Sequence, residues 1–127
     1  MELHFNQKQI LKNLMYKDKF KFMELKPKNL TSKHFNYHLQ RLEKDGIITK
    51  DGLYYLLTDS GKKLVGTLTD DAMQVEQSTK VSVWLYVRRK VDDKVEYLAS
   101  RRKKQPYYNK LGWVTGKCKF GETFEET

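Results

Sequence analysis

The strongest constraint in this chain is a change of hydrophobic period at Gly46. Before it, Phe35, Leu39 and Leu42 recur at i, i+4 and i+7, the spacing that gathers apolar groups on one face of a helix. Thr31 or Ser32 offers an N-cap to that helix, and Asp45-Gly46 supplies a left-handed stop. After it, Ile47-Ile48-Thr49 and Leu53-Tyr54-Tyr55-Leu56-Leu57 are β-prone runs on either side of Lys50-Asp51-Gly52. Asp-Gly between two such runs signals a hairpin, so the turn is expected at Lys50-Asp51-Gly52. A chain of this kind must pack a helix against a hairpin.

The residues before Thr31 supply the rest of that packing. Ile10, Leu11, Leu14 and Met15 form a second apolar stripe, with Asn6 as the expected N-cap, Gln9 three residues on, and Phe5 and Ile10 at the staple positions. Phe20, Phe22, Met23 and Leu25 precede Pro27, which disfavours helical geometry at Lys26, so only a short strand or one or two helical turns fit there. After the hairpin, Thr58 can cap a final short helix carrying Lys62, Lys63, Leu64 and Val65.

The stretch Thr69–Lys80 is polar and lacks a period, which marks a linker, placed at 71–80. Beyond it, Val81, Val83, Leu85 and Val87 alternate with Ser82, Trp84, Tyr86 and Arg88, a period of two that predicts a strand. Asp92-Asp93-Lys94 then turns the chain into Val95–Arg101. The fold class expected is α+β, with residues 1–70 as one domain and 81–127 as a β-hairpin-rich second region.

At 127 residues, with 39% hydrophobic and 32% charged, the chain has room for one ordinary domain or two very small ones and is neither a disordered tail nor a membrane protein. No run of about 18 apolar residues and no secretory h-region occurs. The single cysteine, Cys118, excludes an internal disulfide and favours a reducing compartment, so a cytoplasmic location is expected. The net charge of +9 is shared, +5 over residues 1–70 and +4 over 71–127, which makes a polyanion a candidate partner for both parts.

Removing the apolar stripe from the helix before Gly46 leaves Lys33, Asn36, Tyr37, Gln40, Arg41 and Lys44, a face of hydrogen-bond donors with one aromatic. Three helices followed by a hairpin is the order of a winged helix-turn-helix, and an exposed face of this kind suits the major groove of double-stranded DNA. Thr31–Ile48 resembles the recognition helix and the approach to the wing of small ArsR-like winged-helix regulators, and Leu57-Thr58 with Gly61 resembles their post-wing helix. The resemblance implies that Ser32, Lys33, Asn36, Tyr37, Gln40 and Arg41 read DNA and that Lys50 touches it from the wing. His34 and His38 stand four apart without an accompanying acid or cysteine cluster; His38 is expected to pack structurally, and no metal site is expected there.

Leu111–Thr127 carries a second pattern. Gly116, five residues and Glu122 resemble the opening of the Nudix box, Gly-x5-Glu-x7-Arg-Glu-hydrophobic-x-Glu-Glu-x-Gly. The flanks agree: a strand hairpin, Arg101-Arg102, Gly112-Trp113, Thr115-Gly116-Lys117, and Gly121-Glu122-Thr123 leading into an expected helix. Val114 departs from the pattern, standing where the family commonly has proline. Counted from Glu122, the Arg-Glu pair belongs at positions 130 and 131 and the Glu-Glu pair at 134 and 135, past Thr127. Residues 81–127 therefore read as the N-terminal part of a Nudix-like α/β/α sandwich, cut inside its signature. What the resemblance implies is a magnesium-dependent parent enzyme acting on nucleoside diphosphate derivatives, with Arg101 and Arg102 meeting substrate phosphate and Gly116, Gly121 and Glu122 opening the box.

Two functions from different classes follow. The first is a winged-helix DNA-binding module of a transcriptional regulator, attached to a truncated Nudix domain. In the alternative, the chain is the N-terminal part of a Nudix hydrolase whose winged helix serves as scaffold or protein-interaction module, with a second copy of the chain as a candidate partner. In both, this chain lacks the remaining glutamates, and its phosphate release from nucleoside diphosphate derivatives with magnesium is expected to match a buffer blank.

Overall fold

In the computed structural model, which describes residues 3–68, 81–118 and 121–127, helices and antiparallel sheets both form, and the chain is α+β. It divides into two compact units, Met1–Glu76 with Lys103–Tyr108, and Gln77–Arg102 with Asn109–Thr127. The linker expected over 71–80 lies outside the described residues.

In the first unit the apolar stripes produce the expected helices. Helix α1 spans Phe5–Leu14 and buries Ile10, Leu11 and Leu14. Its start lies earlier than Asn6: the cap is His4, whose Nδ1 accepts from the Asn6 amide while its own N–H donates to the Gln7 side chain. His4 and Gln7 thus close a reciprocal capping box three residues apart. Asn6 lies inside the helix, and Phe5 is 58% exposed, so the Phe5–Ile10 staple does not form.

The stretch before Pro27 contains both elements allowed there, a two-residue strand β1 (Phe20–Lys21) and one helical turn α2 (Phe22–Leu25). Helix α3 spans Ser32–Lys44, with Thr31 Oγ1 accepting from His34 N–H. At its C-terminus the Gly46 N–H donates to Glu43 and the Ile47 N–H to Leu42, the paired bonds of a Schellman motif, and Gly46 takes the φ of +70° that this stop requires.

Strands β2 (Ile48–Asp51) and β3 (Tyr54–Leu57) pair antiparallel, and β1 adds to the other edge of β3, giving the order β1-β3-β2. The hairpin turn falls one residue later than expected. Asp51 pairs with Tyr54, leaving Gly52-Leu53 as the loop, with φ of +58° at Gly52. Positive φ at the first of two loop residues is the requirement of a type II′ turn, so glycine leads the loop and Asp51 stays in the strand.

Helix α4 (Asp59–Val65) begins at Thr58, whose Oγ1 accepts from Gly61 N–H and whose hydroxyl donates toward the carbonyls of Gly46 and Ile47. One side chain therefore joins the end of α3 to the start of α4. A Cβ on Gly61 would stand 2.0 Å from the Ile47 carbonyl oxygen, so only glycine permits this approach. The core between these elements is Ile10, Leu11, Leu14, Leu25, Phe35, Leu39, Leu42, Ile48 and Val65, all fully buried. Residues 103–108 return to this unit, where the Gln105 N–H donates to Met15 and its side-chain amide to Asp18.

The second unit consists of paired strands. β4 (Ser82–Leu85) pairs with β9 (Val114–Lys117), β5 (Arg88–Val91) with β6 (Lys94–Tyr97), and β7 (Ser100–Arg101) with β8 (Leu111–Gly112), all antiparallel. The alternating run from Val81 is thus two strands with separate partners. Asp92 and Asp93, both at positive φ, form the loop of the β5–β6 hairpin. Where the ladders meet, Tyr86 and Tyr97 contact the Trp113 ring at centroid distances of 4.9 and 5.7 Å.

Candidate nucleic-acid interface

Helix α3 is divided lengthwise. Phe35, His38, Leu39 and Leu42 are buried, while Lys33, Asn36, Tyr37, Gln40, Arg41 and Lys44 are exposed, as is Ser32 at its first turn. The exposed positions recur at three and four residues, so they form one continuous stripe. Arg41 Nε lies 3.4 Å from Asp45 Oδ2, an i,i+4 pair whose guanidinium keeps more than half of its side chain in water, so Arg41 is open to another anion. Lys44 extends the stripe toward the hairpin.

The structure brings Lys50 to the same unit, on β2 directly opposite Tyr55, with its ammonium 5.6 Å from that ring. Because the loop is Gly52-Leu53, Lys50 is one pair back from the hairpin tip rather than at it. The third strand adds cations that the sequence reading missed. Lys21 on β1 stands opposite Tyr54, and the ammoniums of Lys19 and Lys21 lie 4.6 and 5.8 Å from the Tyr54 ring centroid. The available signal was the alternation Lys17, Lys19, Lys21, which marks one face of an extended segment. Pairing with β3, a partner distant in sequence, gives it a position.

His38 has the structural environment expected of it. It is 9% exposed, its ring stacks on His4 at 4.9 Å, and Asn6 Nδ2 lies 3.2 Å from Nε2, to which it donates when the ring is neutral. Burial pushes its pKa below the usual imidazole value, and the neighbouring positive charges of His4 and His34 act in the same direction. His34 remains exposed on the helix.

In the second unit the residues of the phosphate-chemistry pattern are distributed over separate ladders. Arg101 on β7 is exposed and its Nη1 donates to the Asn109 carbonyl at 2.8 Å; Arg102 is exposed and its backbone pairs with Lys110 and Asn109. Gly116 lies on β9 opposite Val83, and a Cβ there would stand 2.7 Å from the Thr127 carbonyl oxygen. Gly121 has φ of +88°, and the Glu122 carbonyl accepts from Cys118 Sγ. The helix expected after Glu122 is instead a single turn, with Thr127 Oγ1 donating to the Thr123 carbonyl and Glu126 Oε2 accepting from Thr123 N–H. Among the described residues no group of three His, Cys, Asp or Glu side chains stands close enough to hold a metal ion.

No protein-family model, curated protein or solved structure matches this chain.

Proposed function

We propose that the first unit is a winged helix-turn-helix module that binds double-stranded DNA, with α3 as the recognition helix and the β2–β3 hairpin as the wing. The order α1, β1, α2, α3, β2, β3 supports this reading, and the observation that carries it is the exposed stripe along α3. Lys33, Asn36, Tyr37, Gln40 and Arg41 present donors along about two helical turns, on a helix fixed by the Schellman motif at one end and the Thr31 cap at the other. Asn and Gln can address adenine edges bidentately and Arg a guanine, while Lys33 and Lys44 neutralise phosphates. Ser32 at the first turn and Lys50 on the wing contribute backbone contacts.

Titration of a labelled random-sequence duplex at low salt, followed by fluorescence anisotropy, tests the reading. Binding should weaken steeply with rising salt. Arg41→Ala and Lys33→Ala should each weaken it by about 1–3 kcal/mol at a base-reading position and less at a phosphate-contacting one. Absence of duplex binding at low salt sinks the proposal.

For the second unit, Gly116 and Gly121 favour the reading as the opening of a Nudix-like region. Each holds a place where a side chain is disfavoured, one by the close approach of Thr127 and one by its positive φ. Magnesium and a nucleoside diphosphate derivative belong to that proposal for the parent enzyme. Phosphate release by this chain above a buffer blank, abolished by Glu122→Gln, would overturn the expectation that it lacks the full ligand set.

A further inference from the structure

We infer that Lys19 and Lys21, carried on and beside β1 around Tyr54, form a second contact with the phosphate backbone of duplex DNA, on the opposite face of the wing sheet from Lys50. This rests on the reading of the first unit as a DNA-binding module and extends its footprint beyond the helix and hairpin.

The register defines the faces. Lys21, Tyr54 and Asp51 stand in one cross-strand row, and Phe20, Tyr55 and Lys50 in the next. Directly opposed residues share a face and neighbouring rows alternate, so Lys21 and Tyr54 lie on one side of the sheet and Lys50 and Tyr55 on the other. Lys19, two residues before Lys21, returns to the Tyr54 side.

Two ammonium groups converge there on one ring, at 4.6 and 5.8 Å from its centroid, with both lysines exposed. Among the described residues neither lies within ion-pair distance of a carboxylate; Glu24, which attracts the Lys21 charge, is engaged by Lys17 at 3.6 Å and by the Lys21 backbone N–H. The Tyr54 face attracts each cation but leaves their mutual repulsion in place. An anion lying across both relieves that repulsion, and a string of phosphates also releases its own condensed counterions. Asp51, in the same row, disfavours a free anion close to the turn and favours a backbone that runs along β1, past Lys19 and Lys21. Lys50 is on the opposite edge strand and on the far face, beside the buried Tyr55, so Lys19 and Lys21 make a contact separate from it.

The test compares the salt dependence of duplex binding for the wild-type chain, for Lys19→Gln/Lys21→Gln and for Arg41→Ala, with circular dichroism confirming that these exposed substitutions leave the fold intact. The double variant should show a log–log salt slope shallower by about two and an affinity lower by roughly tenfold or more, uniformly across duplex sequences. Tyr54→Ala should weaken binding in the same sequence-independent manner. Inorganic phosphate at matched ionic strength should compete no better than chloride; preferential competition would identify an isolated anion pocket and overturn the inference. An unchanged slope in the double variant, with the wild type binding and Arg41→Ala weakened, overturns this inference while the DNA-binding reading stands. A wild type that binds no duplex removes both.

Discussion

The two units contain comparable proportions of apolar residues yet use them differently. In the first, every apolar stripe finds a second layer: α1, α3 and α4 close over the β1-β3-β2 sheet, and nine side chains become fully inaccessible. In the second, no described hydrophobic residue is buried. Trp84, Leu85, Tyr86, Tyr97, Leu98 and Leu111 are all more than half exposed, and Trp113 keeps 37% of its surface. Hydrophobic period specifies what kind of element forms, whereas burial requires another element to cover it. The alternation from Val81 to Arg88 therefore produces strands without producing a core.

The chain offers separate reporters for testing this contrast. Every described helix is in the first unit, and both tryptophans are in the second, so helical circular dichroism follows one and tryptophan fluorescence the other. The largest effect is expected for Phe35→Ala, which empties a fully buried site that packs edge-on against Phe22 at 4.8 Å. It should cost about 3–5 kcal/mol in chemical denaturation followed by circular dichroism. Trp113→Ala should leave that transition unchanged. Equal losses from the two substitutions would break the comparison.

Next in size is Gly61→Ala. The added methyl meets the Ile47 carbonyl, and α4 must shift away from the hairpin, at a cost of about 1–3 kcal/mol. Thr58→Ala at the same junction should lose about 1 kcal/mol, because it removes the α4 cap together with the hydroxyl directed at Gly46 and Ile47. A neutral Gly61→Ala would mean that α4 is not held against the α3 terminus.

This junction also shows how far the sequence was legible. Phe35, Leu39, Leu42 and Gly46 specify a helix and its stop through contacts within a dozen residues, and both were readable. The polar stripe of α3 follows by subtraction, so the candidate interface was readable along with it. The cap at His4 was missed because histidine is an uncommon cap and its role depends on Gln7 completing the box. The Gly52-Leu53 loop differs by one residue from the expected turn, since both registers keep a glycine at positive φ and cross-strand pairing of Asp51 with Tyr54 decides between them. Lys19, Lys21 and the return of residues 103–108 depend on partners more than 30 residues away, such as Tyr54 for Lys21 and Met15 for Gln105, and no local period encodes those.

A smaller effect, confined to acid, belongs to His38. Its pKa is lowered in the folded state by burial and by His4 and His34, so the unfolded chain binds the extra proton more readily. Stability should be fully present above the ordinary imidazole pKa, decline as pH falls from there toward the depressed folded value, and level off below it. Protonation also removes Nε2 as the acceptor for Asn6 and places a charge on the ring stacked against His4. Denaturation midpoints by circular dichroism across this range should show the decline in the wild type and a shallower one in His38→Gln. Tryptophan fluorescence should not register it, since His38 belongs to the first unit.

The smallest effect concerns the pair that looks strongest on distance alone. Arg89 Nε and Glu96 Oε2 are 2.6 Å apart across the β5–β6 ladder, with side chains 76% and 51% exposed. Water and salt screen such a pair, and ordering two long side chains costs entropy, so its coupling should be about 0.2–1 kcal/mol. In a double-mutant cycle of Arg89→Ala and Glu96→Ala read by tryptophan fluorescence, the coupling should shrink further with added salt. Trp113→Ala, which removes the ring touched by both Tyr86 and Tyr97, should shift that same transition more. If the ion pair exceeds the aromatic contacts instead, the second unit is held by electrostatics at its surface, and its contrast with the first lies in the kind of force as well as in the degree of burial.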